Sequence, residues 1–93
     1  MNTARKISEE LVHNRLAACC NILPGIKSIY HWENKVQQDE ELLIIIKSRS
    51  DSYSQVEKKI REIHPYSVPE IIALPLINGN IDYLNWMDDN VKK

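Results

Sequence analysis

The 93 residues include no phenylalanine, only two glycines and four prolines, and just two cysteines, which are neighbours at Cys19 and Cys20. The missing phenylalanine matters because RNA-binding sheet modules stack bases on aromatic rings of a central strand. Nor is there a basic surplus: Lys and Arg total 12 against 13 Asp and Glu, for a net charge of -1. Together these exclude an electrostatic footprint for nucleic acid or an anionic membrane, so any partner is recognised by a local site. Long apolar runs are also lacking. The stretch Leu42 to Ile46 falls far short of the roughly 18 residues that mark a membrane-spanning helix. The opening MNTARKISEE mixes charges and has no apolar core of a signal peptide. A soluble, cytoplasmic protein of one domain, residues 1–93, is the expectation. A disulfide between adjacent cysteines is strained on an extended chain, whose side chains alternate in direction, so Cys19 and Cys20 are read as reduced, small buried hydrophobes.

What is present is clear periodicity. Ala4, Ile7, Leu11 and Val12 recur at helical spacing, with Asn2 or Thr3 available as a cap and Asn14 as an exit. From Leu16 to Trp32 the chain reads as a long strand, bent or bulged at Pro24-Gly25. Glu33-Asn34-Lys35 forms a turn in which Asn34 takes the left-handed conformation, and Val36 to Ser48 returns as a second strand. Leu42 to Ile46 is apolar at every position, the pattern of a strand covered on both faces. Ser52 to Gln55 has capping-box spacing ahead of a second helix, with Tyr53, Val56, Ile60 and Ile63 on one face, that stops before Pro65. Ile71 to Leu74 reads as a short buried strand, Asn80 as a cap, and Ile81, Leu84, Met87 and Val91 as one face of a last helix.

The order α-β-β-α-β-α with a right-handed crossover between parallel strands predicts an α+β sandwich of the ferredoxin-like kind, (β)αββαβα, with the first, central strand missing and a long β-hairpin. That strand belongs between Leu42–Ile46 and Ile71–Leu74. About five absent ladder bonds at roughly 1 kcal/mol each rival a typical domain stability of about 5–15 kcal/mol. Met1 is therefore expected to mark a truncated form, by gene model, alternative start or splicing, of a longer protein with upstream β-branched apolar residues. The alternative is closure of the sheet by direct pairing of Ile71–Leu74 with Leu42–Ile46.

The segment REIHPYSVPEIIALP holds more than a helix stop requires. His64 and Glu70 offer an imidazole and a carboxylate suited to Cu(II) or Zn(II), on a segment stiffened by Pro65 and Pro69. The competing reading is that His64 closes the helix against its dipole while Glu70 pairs with a lysine. Two ligands alone do not complete a metal site. Tyr30 and Trp32 share a strand face near the hairpin tip, which fits either packing under the protein's own helices or a subunit interface. Lys47 either snorkels to solvent or draws a carboxylate or phosphate into an intersubunit cleft. A cysteine-dependent enzyme, with His13, His31 or His64 as base, lacks a recognisable orienting group or oxyanion loop.

The stretches RLAACCNILPGIKSIYHWENKV, EELLIIIKS, IHPYSVPEIIALPL and GNIDYLNW, in this order and spacing, resemble the divalent-cation tolerance protein CutA family over nearly the whole chain from Thr3. The resemblance implies a ferredoxin-like subunit in a tight homotrimer, divalent-metal and in particular copper(II) binding, a role in metal-ion tolerance, a link to acetylcholinesterase anchoring among animal members, and no enzymatic reaction. Carried over by motif, it points to Cys19 with His64 and Glu70 for metal, and to Tyr30, Trp32, Lys47, Tyr66 and Trp86 for the ligand cleft and subunit interface. A trimer binding a small anion in signalling, without metal function, is the alternative. Asn34 stands where the family usually has glycine, and the missing strand removes a cysteine proposed as a copper ligand in bacterial members.

Overall fold

The computed structural model describes residues 1–65 and 69–92. Helix α1 (Asn2–His13) leads into strands β1 (Cys19–Trp32) and β2 (Lys35–Lys47); a short 3-10 turn (Ser50–Ser52) opens α2 (Tyr53–Ile63), and α3 (Ile81–Asp89) follows. Ala4, Ile7 and Leu11 form the buried stripe of α1, as their spacing predicts. Neither Asn2 nor Thr3 caps it, because both lie inside the helix and Met1 occupies the cap position. At the other end the Asn14 side-chain amide donates to the Glu10 carbonyl at 2.7 Å. The amides of Leu16 and Ala17 both donate to the Leu11 carbonyl, so these two residues finish the helix stop and the strand starts later, at Cys19. Ser52 precedes α2 without a side-chain cap bond, since it ends the 3-10 turn in a helical conformation and the capping box does not close.

Ile7 and Leu11 of α1, Leu16 and Ala17 after it, and Val56 and Ile60 of α2 make the core, with Cys20, Ile44, Ile46, Ile63 and Ile71 packed against it. Both helices therefore cover one face of the β1–β2 ribbon. The ribbon itself is long. The molecule extends 45 Å, and its radius of gyration of 14.6 Å exceeds the roughly 12 Å of a compact chain of this length. Its tip turns at Glu33 and Asn34, with φ of 53° and 65°, the paired left-handed signature of a type I′ hairpin turn.

The strands pair antiparallel, Cys19 opposite Lys47 through Leu23 opposite Leu43, then Ile26 opposite Glu41 through Trp32 opposite Lys35. Three steps along β1 answer two along β2 at Pro24-Gly25, so one extra residue is inserted there, with Gly25 at φ 75°. This is the expected bulge, and Gly25 adopts its left-handed conformation without the Cβ penalty. The extra residue reverses parity along β1. Leu23, Leu43 and Ile45 lie on the face away from the helices, and beyond the bulge Tyr30 and Trp32 join that same face.

Two expectations are corrected. Leu43 and Ile45 are 47% and 44% exposed, so β2 is covered on one face within this chain, not on both. Ile71 to Leu74 forms no strand: among the described residues β2 pairs with β1 alone, and the direct closure of the sheet is not made. Only Ile71 reaches the core, and the Tyr53 hydroxyl donates to its carbonyl at 3.1 Å. In α3, Met87 is buried, as is Val91 just beyond the helix, but Ile81 stays 67% exposed.

Candidate ligand and interface sites

His64 is the residue at which α2 ends. Its amide donates to the Ile60 carbonyl at 2.7 Å, and its backbone turns extended at φ -70°, ψ 133°. This follows from Pro65, which disfavours a helical residue before it. The imidazole is half-buried, whereas Glu70 is exposed. Cys19 sits at the start of β1, its thiol 3.9 Å from the Asn21 side-chain oxygen. Tyr66 lies outside the described residues. Among the described residues, no three His, Cys, Asp or Glu side chains gather as a metal-ligand cluster.

The structure instead assembles a group at the base of the ribbon. Lys47 is paired in register with Cys19, and its carbonyl accepts from the Ala18 amide at 2.8 Å. Its ammonium lies 5.4 Å from the centroid of the Tyr83 ring, and Tyr83 meets Trp86 at 5.5 Å between centroids with 33° between planes. A cation over a partly solvated ring contributes about 0.5–1 kcal/mol, enough to orient the lysine and too little to bury it. Arg49 holds this arrangement together by bridging Asp51 at 2.9 Å and Asp88 of α3, which docks α3 beside the end of β2. Lys47 and Trp86 are sequence-predicted site residues; Tyr83 is the residue that joins them. Its spacing of three from Trp86 on one helix is the available signal.

Burial pushes the Cys20 thiol up, partly offset by the neighbouring Ser8 hydroxyl and reinforced by Cys19. Ser8 Oγ is itself buried without a hydrogen-bond partner of good geometry among the described residues. A thiol held protonated in this way is a poor nucleophile.

At the far end of the ribbon the Tyr30 hydroxyl donates to the Asp39 carboxylate, which fixes the ring across the strands. Trp32 is 52% exposed. Leu23, Leu43 and Ile45 make an apolar patch at the base of the open face and Tyr30 and Trp32 a second one near its tip, with Glu41, Ser28 and Asp39 between them.

A helix-covered ribbon that overhangs its core, with a crossover helix between β2 and the segment beginning at Ile71, defines a ferredoxin-like α+β chain. The sequence matches the CutA1 divalent ion tolerance protein family over residues 1–90, and the chain belongs to that family. The Divalent-cation tolerance protein CutA of Thermus thermophilus is 46% identical over 87 residues, covering 94% of this chain and 84% of that protein. Protein CutA of Homo sapiens is 44% identical over 84 residues, covering 90% of this chain and 47% of that protein. The chain thus spans about half the length of the human relative. Among solved structures, the Thermus thermophilus divalent cation tolerance protein superposes with a TM-score of 0.95 at 44% identity, covering 98% of this chain and 88% of that one. CutA1 from Oryza sativa does so with 0.96 at 40% identity, covering all of this chain and 85% of that one.

Proposed function

We propose that this chain acts in divalent-metal tolerance as a non-catalytic homotrimer, binding copper(II) through His64 with Glu70 and Cys19. The observation that carries the assembly is the pair of apolar patches, Leu23 with Leu43 and Ile45 and Tyr30 with Trp32, the last four residues 38–52% exposed on one open face. Exposed apolar patches of this kind, rimmed by polar residues, favour an association site. Relatives named as divalent-cation tolerance proteins support the metal role. Copper(II) accepts imidazole and carboxylate readily, and His64 and Glu70 flank a proline-bounded segment. One chain offers too few ligands, so a neighbouring subunit completes the set. In the cytoplasm both cysteines stay reduced, which keeps Cys19 available as a soft ligand. An enzyme-localising role, extending to acetylcholinesterase, requires the trimer as its platform and adds no residue to the site.

Two measurements test this reading. Sedimentation equilibrium at micromolar concentration is expected to give three times the 10.8 kDa chain mass, and a monomer would sink the assembly. Calorimetric titration with Cu(II) is expected to lose most of its affinity in His64→Ala; equal affinity would leave His64 as a helix stop only.

A second reading is favoured by Lys47 beside Tyr83 and Trp86: a small carboxylate or phosphate in that corner, without metal function. In that case Lys47→Ala abolishes anion binding while His64→Ala leaves it intact.

A further inference from the structure

Helix α1 closes in a Schellman arrangement. The Arg15 amide donates to the Val12 carbonyl at 3.1 Å and the Leu16 amide to the Leu11 carbonyl at 2.9 Å, while Leu16 and Leu11 share the core. The residue between Asn14 and Leu16 must then take a positive φ, and Arg15 does so at 56°. Glycine is the usual occupant of this position, because a Cβ in the left-handed region costs more than an exposed cation gains from the helix dipole. Nor does the helix end need the guanidinium for hydrogen bonds: the carbonyls of Glu10, Leu11 and Val12 already accept from the amides of Asn14, Leu16, Ala17 and Arg15. Among the described residues the Arg15 side chain has no hydrogen bond or ion pair of its own. An arginine kept in a strained backbone without local compensation points to a role outside the helix.

Arg15 lines an open hollow of about 330 Å³ together with Val12, His13, Ala17, Ala18 and Asn90. None of these is acidic. Asn90 is held there by its side-chain amide, which donates to the Trp86 carbonyl at 2.8 Å, and the Lys92 amide donates to the Arg15 carbonyl at 2.9 Å, so a second cationic residue adjoins the same loop. We infer that this hollow binds a small phosphate monoester, with the phosphate on the Arg15 guanidinium and the apolar body against Val12, Ala17 and Ala18. The planar fork of a guanidinium fits two phosphate oxygens at once, and the donors of His13 and Asn90 suit the third, which a carboxylate lacks. A few polar groups around an apolar wall are the usual make-up of a small-molecule site. The hollow uses no residue of the metal set, of the Lys47 corner or of the open face of the ribbon, so this binding is independent of all three.

The test titrates the isotope-labelled 93-residue chain with phenyl phosphate at low salt, read by NMR at the Arg15 Nε–H and the amides of His13 to Ala18. Saturable shifts are expected at these groups, with inorganic phosphate binding several-fold more weakly and phenol not at all. Arg15→Gly should lose about tenfold or more in affinity for phenyl phosphate and yet raise the urea midpoint, since glycine takes the positive φ freely. Arg15→Lys, which keeps the charge and loses the fork, should bind with intermediate affinity. Equal binding of phenyl phosphate by Arg15→Gly would overturn the inference, as would phenol saturating the same hollow. So would a lower urea midpoint in Arg15→Gly, which would make the guanidinium a helix stabiliser, or sedimentation of the chain with phosphatidic acid vesicles in the absence of any response to phenyl phosphate.

Discussion

Leu42–Ile46 and Ile71–Leu74 read almost alike as apolar, β-prone runs, but one is a strand and the other is extended backbone without a ladder. The difference is not in their propensities. Leu42–Ile46 follows a turn that returns it against β1, so its hydrogen bonds are made locally; Ile71–Leu74 needs a neighbouring strand, and no described stretch pairs with it. Strand formation is a property of a pair, and propensity measures chiefly how well a residue fits a pleated, half-buried surface.

The contrast can be broken by mutation. Leu11→Ala, at a position with no exposed surface, should lower stability by about 2–5 kcal/mol, whereas Leu74→Ala should stay within about 0.5 kcal/mol. Comparable shifts in their urea midpoints would mean that the Ile71 segment is packed in solution. The open face gives the next effect. In the proposed trimer, Trp32→Ala should weaken subunit association by about 2 kcal/mol or more, visible as dissociation on dilution in sedimentation velocity, without a matching loss of helix by circular dichroism. An unchanged dilution profile would confine the interface to Leu23, Leu43 and Ile45.

Smaller again is the turn. Replacing Glu33-Asn34 by Asn-Gly, residues suited to two successive positive φ values, should stabilise the ribbon by about 0.5–1 kcal/mol, measured by thermal melting. A loss would show that the turn departs from type I′ in solution. The least effect concerns Cys20. Its raised pKa keeps it a thiol at neutral pH, so alkylation mapped by mass spectrometry should be slow and should accelerate only above the pH at which an exposed cysteine does. Because the folded chain holds that proton to higher pH than the unfolded chain, its contribution to stability is complete below the ordinary thiol range and is lost as pH rises through the folded value. Rapid alkylation at neutral pH would revive a nucleophilic role.

What the sequence made legible was local. The α1 stripe, the bulge at Pro24-Gly25 and the stop at His64 each depend on a few neighbouring residues whose stereochemistry acts alone. Caps were less legible: Ser52 has the right spacing, but the preceding 3-10 turn, which spacing does not encode, changes its backbone. The uninterrupted run at Leu42–Ile46 correctly signals two apolar faces, yet it cannot say whether the second cover comes from the same chain. For the candidate site, Lys47 and Trp86 stood out by type, and the Tyr83 contact between them arises from α3 docking through Arg49 and Asp88, residues far apart in sequence.

The single extra residue at Pro24-Gly25 also governs how this ribbon tolerates change in length. Beyond it, every side chain of β1 keeps its side only while the count back to the bulge stays the same modulo two. Adding or removing matched pairs of residues on both arms would lengthen or shorten the arm and leave Tyr30 and Trp32 facing the same way. Losing the one residue at the bulge would send both rings to the other side at a stroke. Length variants of such an arm should therefore accumulate in steps of two, with the bulge as the fixed origin from which they are counted.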